Sequence, residues 1–185
     1  MNPFAEPMVV LSRKGVERLQ RGHPWVYRSD VTTPPRGDGA DVVALVDGRG
    51  RFQGKAFWSD RSQIAVRLLT RDEEPVDEAF FARRIASAAG LRRRAFPEET
   101  LWRAVHGESD LLPGLVADRY GDVGVIQTLV PGTERRKQLL ASLLASELGL
   151  RAVLERNDVR VRELEGMAQV KGPVLGADPG PVEVR

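Results

Sequence analysis

Apolar positions fall into short runs separated by turn-forming residues in the front of this chain, and into longer helical stripes behind. The run Met8 to Leu11 predicts a strand, and Ser12 after it suits the cap of a helix. Over Arg13 to Arg21 that helix turns Val16 and Leu19 inward, while Lys14, Arg18 and Arg21 share the outer face. Gly22 ends the helix, and Pro24 biases His23 toward an extended backbone, so a strand starts around His23-Pro24-Trp25-Val26-Tyr27. Thr32 to Gly39, rich in proline and glycine, reads as a loop. Asp41 to Val46 and Arg51 to Trp58 form a hairpin around Asp47-Gly48-Arg49-Gly50. In Ile64 to Leu69, the residues Ile64, Val66 and Leu68 alternate against Arg67. Several short strands with one helix predict a small β-barrel.

The charged stretch Arg71 to Pro75 reads as a boundary. Behind it, Asp77 to Arg94 has helical spacing, with Phe80, Phe81, Ile85, Ala88 and Leu91 as the apolar stripe. Its closing Arg92-Arg93-Arg94 suits a helix C-terminus and needs no other partner. Strands follow at Leu101 to His106, Leu115 to Tyr120 and Val123 to Leu129. A helix from Glu134 to Leu148, with Thr133 as its cap and Gly149 beyond its end, precedes a strand at Ala152 to Glu155. The order helix, three strands, helix, strand predicts an α+β domain with an open, mostly antiparallel sheet.

Composition adds three constraints. The 185 residues are 42% apolar, enough for two compact cores, yet no run approaches the length of a membrane span. Met1 to Pro7 has neither the basic nor the apolar region of a secretory leader, so the expected location is the cytoplasm. The chain has no cysteine, which removes disulfides, thiolate metal sites and cysteine nucleophiles. Net charge is +2 but uneven: Met1 to Arg71 holds 12 Lys and Arg against 7 Asp and Glu, and the remainder 16 against 19. A basic front is where a polyanion would be gripped.

Candidate chemistry concentrates in three places. Lys14, Arg18, Arg21 and Arg28, interleaved with His23 and Trp25, combine phosphate attraction with a base-stacking ring, although a tryptophan in a small β domain more often serves as a core anchor. His106-Gly107-Glu108-Ser109-Asp110 gathers an imidazole, two carboxylates and a hydroxyl. A hydrolase there would lack the glycine of a nucleophile elbow, since Leu111 takes its place; a metal site would use Glu108, Asp110 and Asp118. Glu155 to Glu163 alternates in charge and reads either as a solvated ion-paired segment or as an arginine rim for phosphates. The strand, glycine-rich turn and helix of a nucleotide site are missing; glycines such as Gly172 and Gly176 sit in isolated turns.

Three blocks occur together and in order: Arg21-Gly22-His23-Pro24-Trp25-Val26; Gly107 to Leu115 with Asp118-Arg119-Tyr120-Gly121; and Arg156-Asn157-Asp158-Val159-Arg160-Val161-Arg162-Glu163-Leu164-Glu165-Gly166. Together they resemble the large-subunit ribosomal RNA cytosine-C5 methyltransferases that begin with a PUA domain. The resemblance implies a PUA RNA-binding barrel over 1–72 and a central α+β domain over 76–185. It also implies a Rossmann-like domain binding S-adenosylmethionine, absent from this sequence, as is the family's cysteine that attacks C6 of cytosine. This chain is thus expected to hold no cofactor or metal, to be inactive alone, and to grip large-subunit rRNA through Lys14, Arg18, Arg21, His23, Trp25 and Arg28. Glu108, Ser109, Asp110, Asp118, Arg119, Arg156, Asp158, Arg160 and Arg162 are expected to frame the entrance to the absent active site. A truncated protein-docking module without an RNA role is the alternative from another class, and the sequence leaves a homodimer open.

Overall fold

A computed structural model describes residues 7–37 and 39–182; Met1 to Glu6, Asp38 and Glu183 to Arg185 lie outside the described residues, and with them most of the opening segment judged above for a leader. Among the described residues no helix is long and apolar enough to cross a membrane. The chain divides between Glu74 and Pro75 into two compact units.

The first unit contains β1 (Met8–Leu11), α1 (Arg13–Gln20), β2 (Trp25–Tyr27), a 3-10 turn (Arg28–Asp30), β3 (Val31–Thr33), β4 (Val42–Val46), β5 (Phe52–Trp58) and β6 (Ile64–Thr70). Six strands in the order β2-β6-β5-β4-β1-β3 make a nearly closed, barrel-like sheet, parallel only between β1 and β4. Val9, Leu11, Val26, Val43, Leu45, Ala56, Trp58 and Val66 fill it, and α1 covers it with Val16 and Leu19. Ser12 caps α1 by accepting the Gly15 N–H at 3.1 Å. Asp47 closes the β4–β5 hairpin by accepting from the backbone of Arg49 and Arg51 and from Arg51 Nε.

Two sequence expectations fail here for physical reasons. β3 overlaps the start of the stretch read as a loop: three residues before Pro34-Pro35 carry too little pattern to mark a strand, yet they pair with β1. β6 does not alternate, because its ladders with β2 and β5 shift register, so Ala65 and Val66, and likewise Leu69 and Thr70, are buried as consecutive pairs. Arg67, expected outside, is buried, while Ile64 and Leu68 remain partly exposed.

The second unit contains α2 (Glu78–Ala95), β7 (Leu101–His106), β8 (Leu115–Tyr120), β9 (Val123–Thr128), α3 (Pro131–Glu134), α4 (Lys137–Leu148), β10 (Ala152–Arg156), α5 (Val161–Leu164) and β11 (Lys171–Leu175). Its sheet order is β11-β10-β9-β8-β7, parallel only between β9 and β10. Asp77 caps α2, which packs through Phe80, Phe81, Ile85, Ala88 and Ala89. Leu91 does not join them and is half exposed, because the stripe from Ile85 through Ala88 continues at position 92, where Arg92 turns in to meet Asp110. The expected single helix from Glu134 starts instead at Pro131, whose fixed φ suits a first turn, and breaks before Lys137. Thr133 is therefore no cap; its buried hydroxyl donates to the carbonyl of Val130. Gly149 ends α4 with the left-handed φ of 66° that favours glycine. β11 went unrecognised because it holds Gly172 and Pro173, residues tolerated at the edge of a sheet, so Gly172 lies in a strand and not in an isolated turn.

A buried charge network joins β9, α3, α4, β10 and α5. The Arg162 side chain is 2% exposed. It donates to the carbonyls of Thr128 and Ala168 and to Glu134 Oε2 at 2.9 Å. Thr128 donates to Glu134, Lys137 bridges Glu134 and Glu155, and Asn157, fully buried, bonds Thr128 and Glu155. Burial alone would raise the Glu134 acid, but hydrogen bonds from Arg162, Thr128 and Lys137 outweigh it and hold the group at about 2.

Removing Arg162 strands these acceptors, so Arg162→Ala should cost the second unit about 3 kcal/mol in urea unfolding, and a loss below about 1 kcal/mol would show the network to be dispensable. Because Glu134 is held below its ordinary 4.5, its contribution is complete above that pH and disappears as pH falls toward 2. Urea midpoints should drop across that window more steeply for the wild type than for Glu134→Gln; equal slopes would acquit Glu134.

Candidate nucleic-acid interface

Helix α1 and the turn after it build a cleft of about 560 Å³ on the first unit, lined by Lys14, Glu17, Arg18, Arg21, Gly22, His23 and Pro24. Helical spacing aligns the three cations, and Gly22, at φ 90°, swings the chain so that His23 faces them. Trp25 N–H donates to His23 Nδ1 at 3.1 Å. Lys14 Nζ and Arg18 Nε lie 3.6 and 3.7 Å from the carboxylate of Asp30, and the Arg18 guanidinium stands 4.8 Å over the Tyr27 ring. Glu17, the one acid in the lining, is paired with Arg13 at 2.9 Å. The cleft therefore offers cationic and N–H donors on a partly apolar floor, a donor set suited to phosphodiester oxygens.

Trp25 and Arg28 are not in that lining. Trp25, half-buried, meets the His23 ring edge-on at 5.8 Å. The Arg28 guanidinium is engaged by the carbonyls of Ser59 and Ser62 and sits over the Trp58 ring, which makes it a brace of the barrel.

In the second unit the expected residues are dispersed. Asp110, expected to face an active site, accepts both terminal nitrogens of Arg92 and the backbone N–H of His106, and its side chain is 6% exposed. Ser109 is exposed and Glu108 partly buried in the same turn. Arg119 bonds the carbonyl of Gly121 and lies over Trp102. Arg162 is the buried centre of the network, so it cannot belong to a surface rim, whereas Arg160 is exposed. Asp118 and Arg156 come together in a concavity of about 470 Å³ on the sheet with Arg103, Tyr120 and Gln127, and Asp158 joins them through Arg156. Both are engaged: Arg103 is bidentate on Asp118, which raises the Arg103 pKa, and Arg156 is bidentate on Asp158, which lowers the Asp158 pKa. Arg103 is the member sequence reasoning missed; its place opposite Asp118 in the β7–β8 register was the available signal.

Asp110 and Asp118 are thus both engaged by arginines, and among the described residues no three His, Asp or Glu side chains are grouped to hold a metal. A strand–helix–strand crossover, β9–α3–α4–β10, carries the parallel pairing of the second unit. Its turn is packed shut: Val130 is buried, and a Cβ on Gly114 would lie 2.5 Å from the Val130 side chain.

Residues 9–71 match the family model of the PUA-like domain. Across 87% of its length the chain is 44% identical to Ribosomal RNA large subunit methyltransferase I of Shewanella amazonensis, covering 42% of that protein. It is 38% identical to the protein of the same name from Salmonella arizonae, over 94% of this chain and 44% of the relative. A structure from Streptococcus mutans described as a SAM-dependent methyltransferase shares the fold, with a TM-score of 0.74, 16% identity and coverage of 93% of this chain and 44% of that one. The chain thus carries a PUA-like domain in its first unit and spans under half the length of the rRNA methyltransferases it is similar to.

Proposed function

We propose that this chain is the RNA-gripping and target-positioning part of a cytoplasmic rRNA cytosine-C5 methyltransferase that uses S-adenosylmethionine. In this reading 1–72 is the PUA domain and 76–185 the central domain. The observation that carries it is the convergence of Lys14, Arg18, Arg21 and His23 on one cleft. The PUA-like match and the names of the similar proteins support it. The cleft residues hold phosphodiester oxygens of large-subunit rRNA, and the sheet face with Arg103, Asp118, Tyr120 and Arg156 lies toward the remainder of the enzyme. The methyl donor and a cysteine attacking C6 of cytosine would come from outside these 185 residues, which contain no cysteine.

Attraction to phosphates releases counterions, so affinity for a labelled large-subunit rRNA fragment should fall steeply with added salt. Lys14→Ala/Arg18→Ala/Arg21→Ala should bind about a hundredfold more weakly at low salt and with a shallower salt dependence. Binding insensitive to salt, or unchanged in the variant, would sink the reading. Salt-resistant self-association with no RNA affinity would favour a protein-docking role.

A further inference from the structure

The cleft cations stand over a charge that the RNA reading does not use. Asp30, the last residue of the 3-10 turn before β3, is 3% exposed, and its Oδ2 accepts no hydrogen bond. Lys14 Nζ and Arg18 Nε approach the two carboxylate oxygens at 3.6 and 3.7 Å, beyond hydrogen-bond length. A buried carboxylate left this way is costly, and the two nearby cations are what offset it. Their N–H donors, however, are not spent on it.

The backbone fixes where this anion sits. Ser12 N–H donates to the Asp30 carbonyl at 2.9 Å, tying the start of α1 to the turn. Gly15 allows the helix to lie on that turn: a Cβ there would stand 2.9 Å from the Asp30 carbonyl oxygen and 3.4 Å from the Asp30 Cβ. Arg18 is consequently held from two directions, by the Tyr27 ring and by the Asp30 carboxylate, although no direct bond consumes its guanidinium.

We propose that Asp30 is a positioning residue of the cleft: a buried anion that sets Lys14 and Arg18 for an incoming phosphodiester and leaves their donors free to meet it. The inference rests on the RNA reading of the cleft. It makes a prediction opposite to that of bulk electrostatics, by which deleting a negative charge beside a polyanion site tightens binding.

The test uses the whole chain, wild type and Asp30→Asn, with the labelled rRNA fragment as probe and the Arg18 Nε–H resonance, assigned through an Arg18→Lys sample, as a second readout. The expected result is about a tenfold loss of RNA affinity in Asp30→Asn despite its added positive charge, with the Arg18 resonance moving to the position of solvent-exposed arginines. In an Arg18→Gln background the same substitution should weaken binding much less. Affinity equal to or above that of the wild type overturns the inference, whatever the resonance does. If the wild type itself binds no RNA, it is the RNA reading that falls; the resonance then decides the tether, and an unmoved signal overturns it. Gly15→Ala, which keeps the carboxylate but displaces it, should act in the same sense and stands in if Asp30→Asn does not fold.

Discussion

Charge withdrawn from water must be met by other charge or by hydrogen bonds, and in each unit one such group fixes how the elements around it are arranged. In the second unit it is Arg162, whose guanidinium draws Thr128, Glu134 and the carbonyl of Ala168 into one set of bonds. In the first it is Asp30, on which α1 rests. The two solutions differ in kind. Around Arg162 the donors and acceptors are matched, so the network is a weld. Beneath the cleft, Asp30 is only partly satisfied, and the surplus donor capacity is directed outward.

That difference separates scaffold from candidate site. Arginines of the second unit are largely engaged by carboxylates or carbonyls, as with Arg92 on Asp110, Arg103 on Asp118 and Arg156 on Asp158. The exposed pairs Arg103–Asp118 and Arg156–Asp158 add little stability but hold side chains in register on the sheet, whereas Arg92–Asp110 is largely buried. The cations of α1 instead face a concavity and keep their hydrogen-bonding capacity.

Much of this could be read from the chain. Ser12 as a cap, the Asp47 hairpin and the three strands after α2 follow from local chemistry, because each depends on residues within a few positions. Several failures share a cause: they turn on partners distant in sequence. β3 exists because β1 lies beside it, β6 loses its alternation to register shifts against two neighbours, and Arg162 is buried because Glu134 and Thr128 receive it. At the cleft, the helix face of Lys14, Arg18 and Arg21 was legible from spacing. Asp30 was not, since nothing in its own neighbourhood announces that a helix ending ten residues earlier will sit on it.

The one parallel pairing of the first unit has a kinetic corollary. Met8, Val9 and Val10 pair with Ala44, Leu45 and Val46, across thirty-six positions. Every other ladder there except β1–β3 and β2–β6 links successive strands. The β4–β5 hairpin can close early, whereas β1 has to wait for β4, and the loop it then closes contains α1 and the Asp30 turn. During synthesis from the N-terminus, the helix and its cations leave the ribosome well before the strand that seats β1. The cleft is consequently a late product of folding, and a nascent chain lacking β4 carries the basic residues without the geometry that aims them.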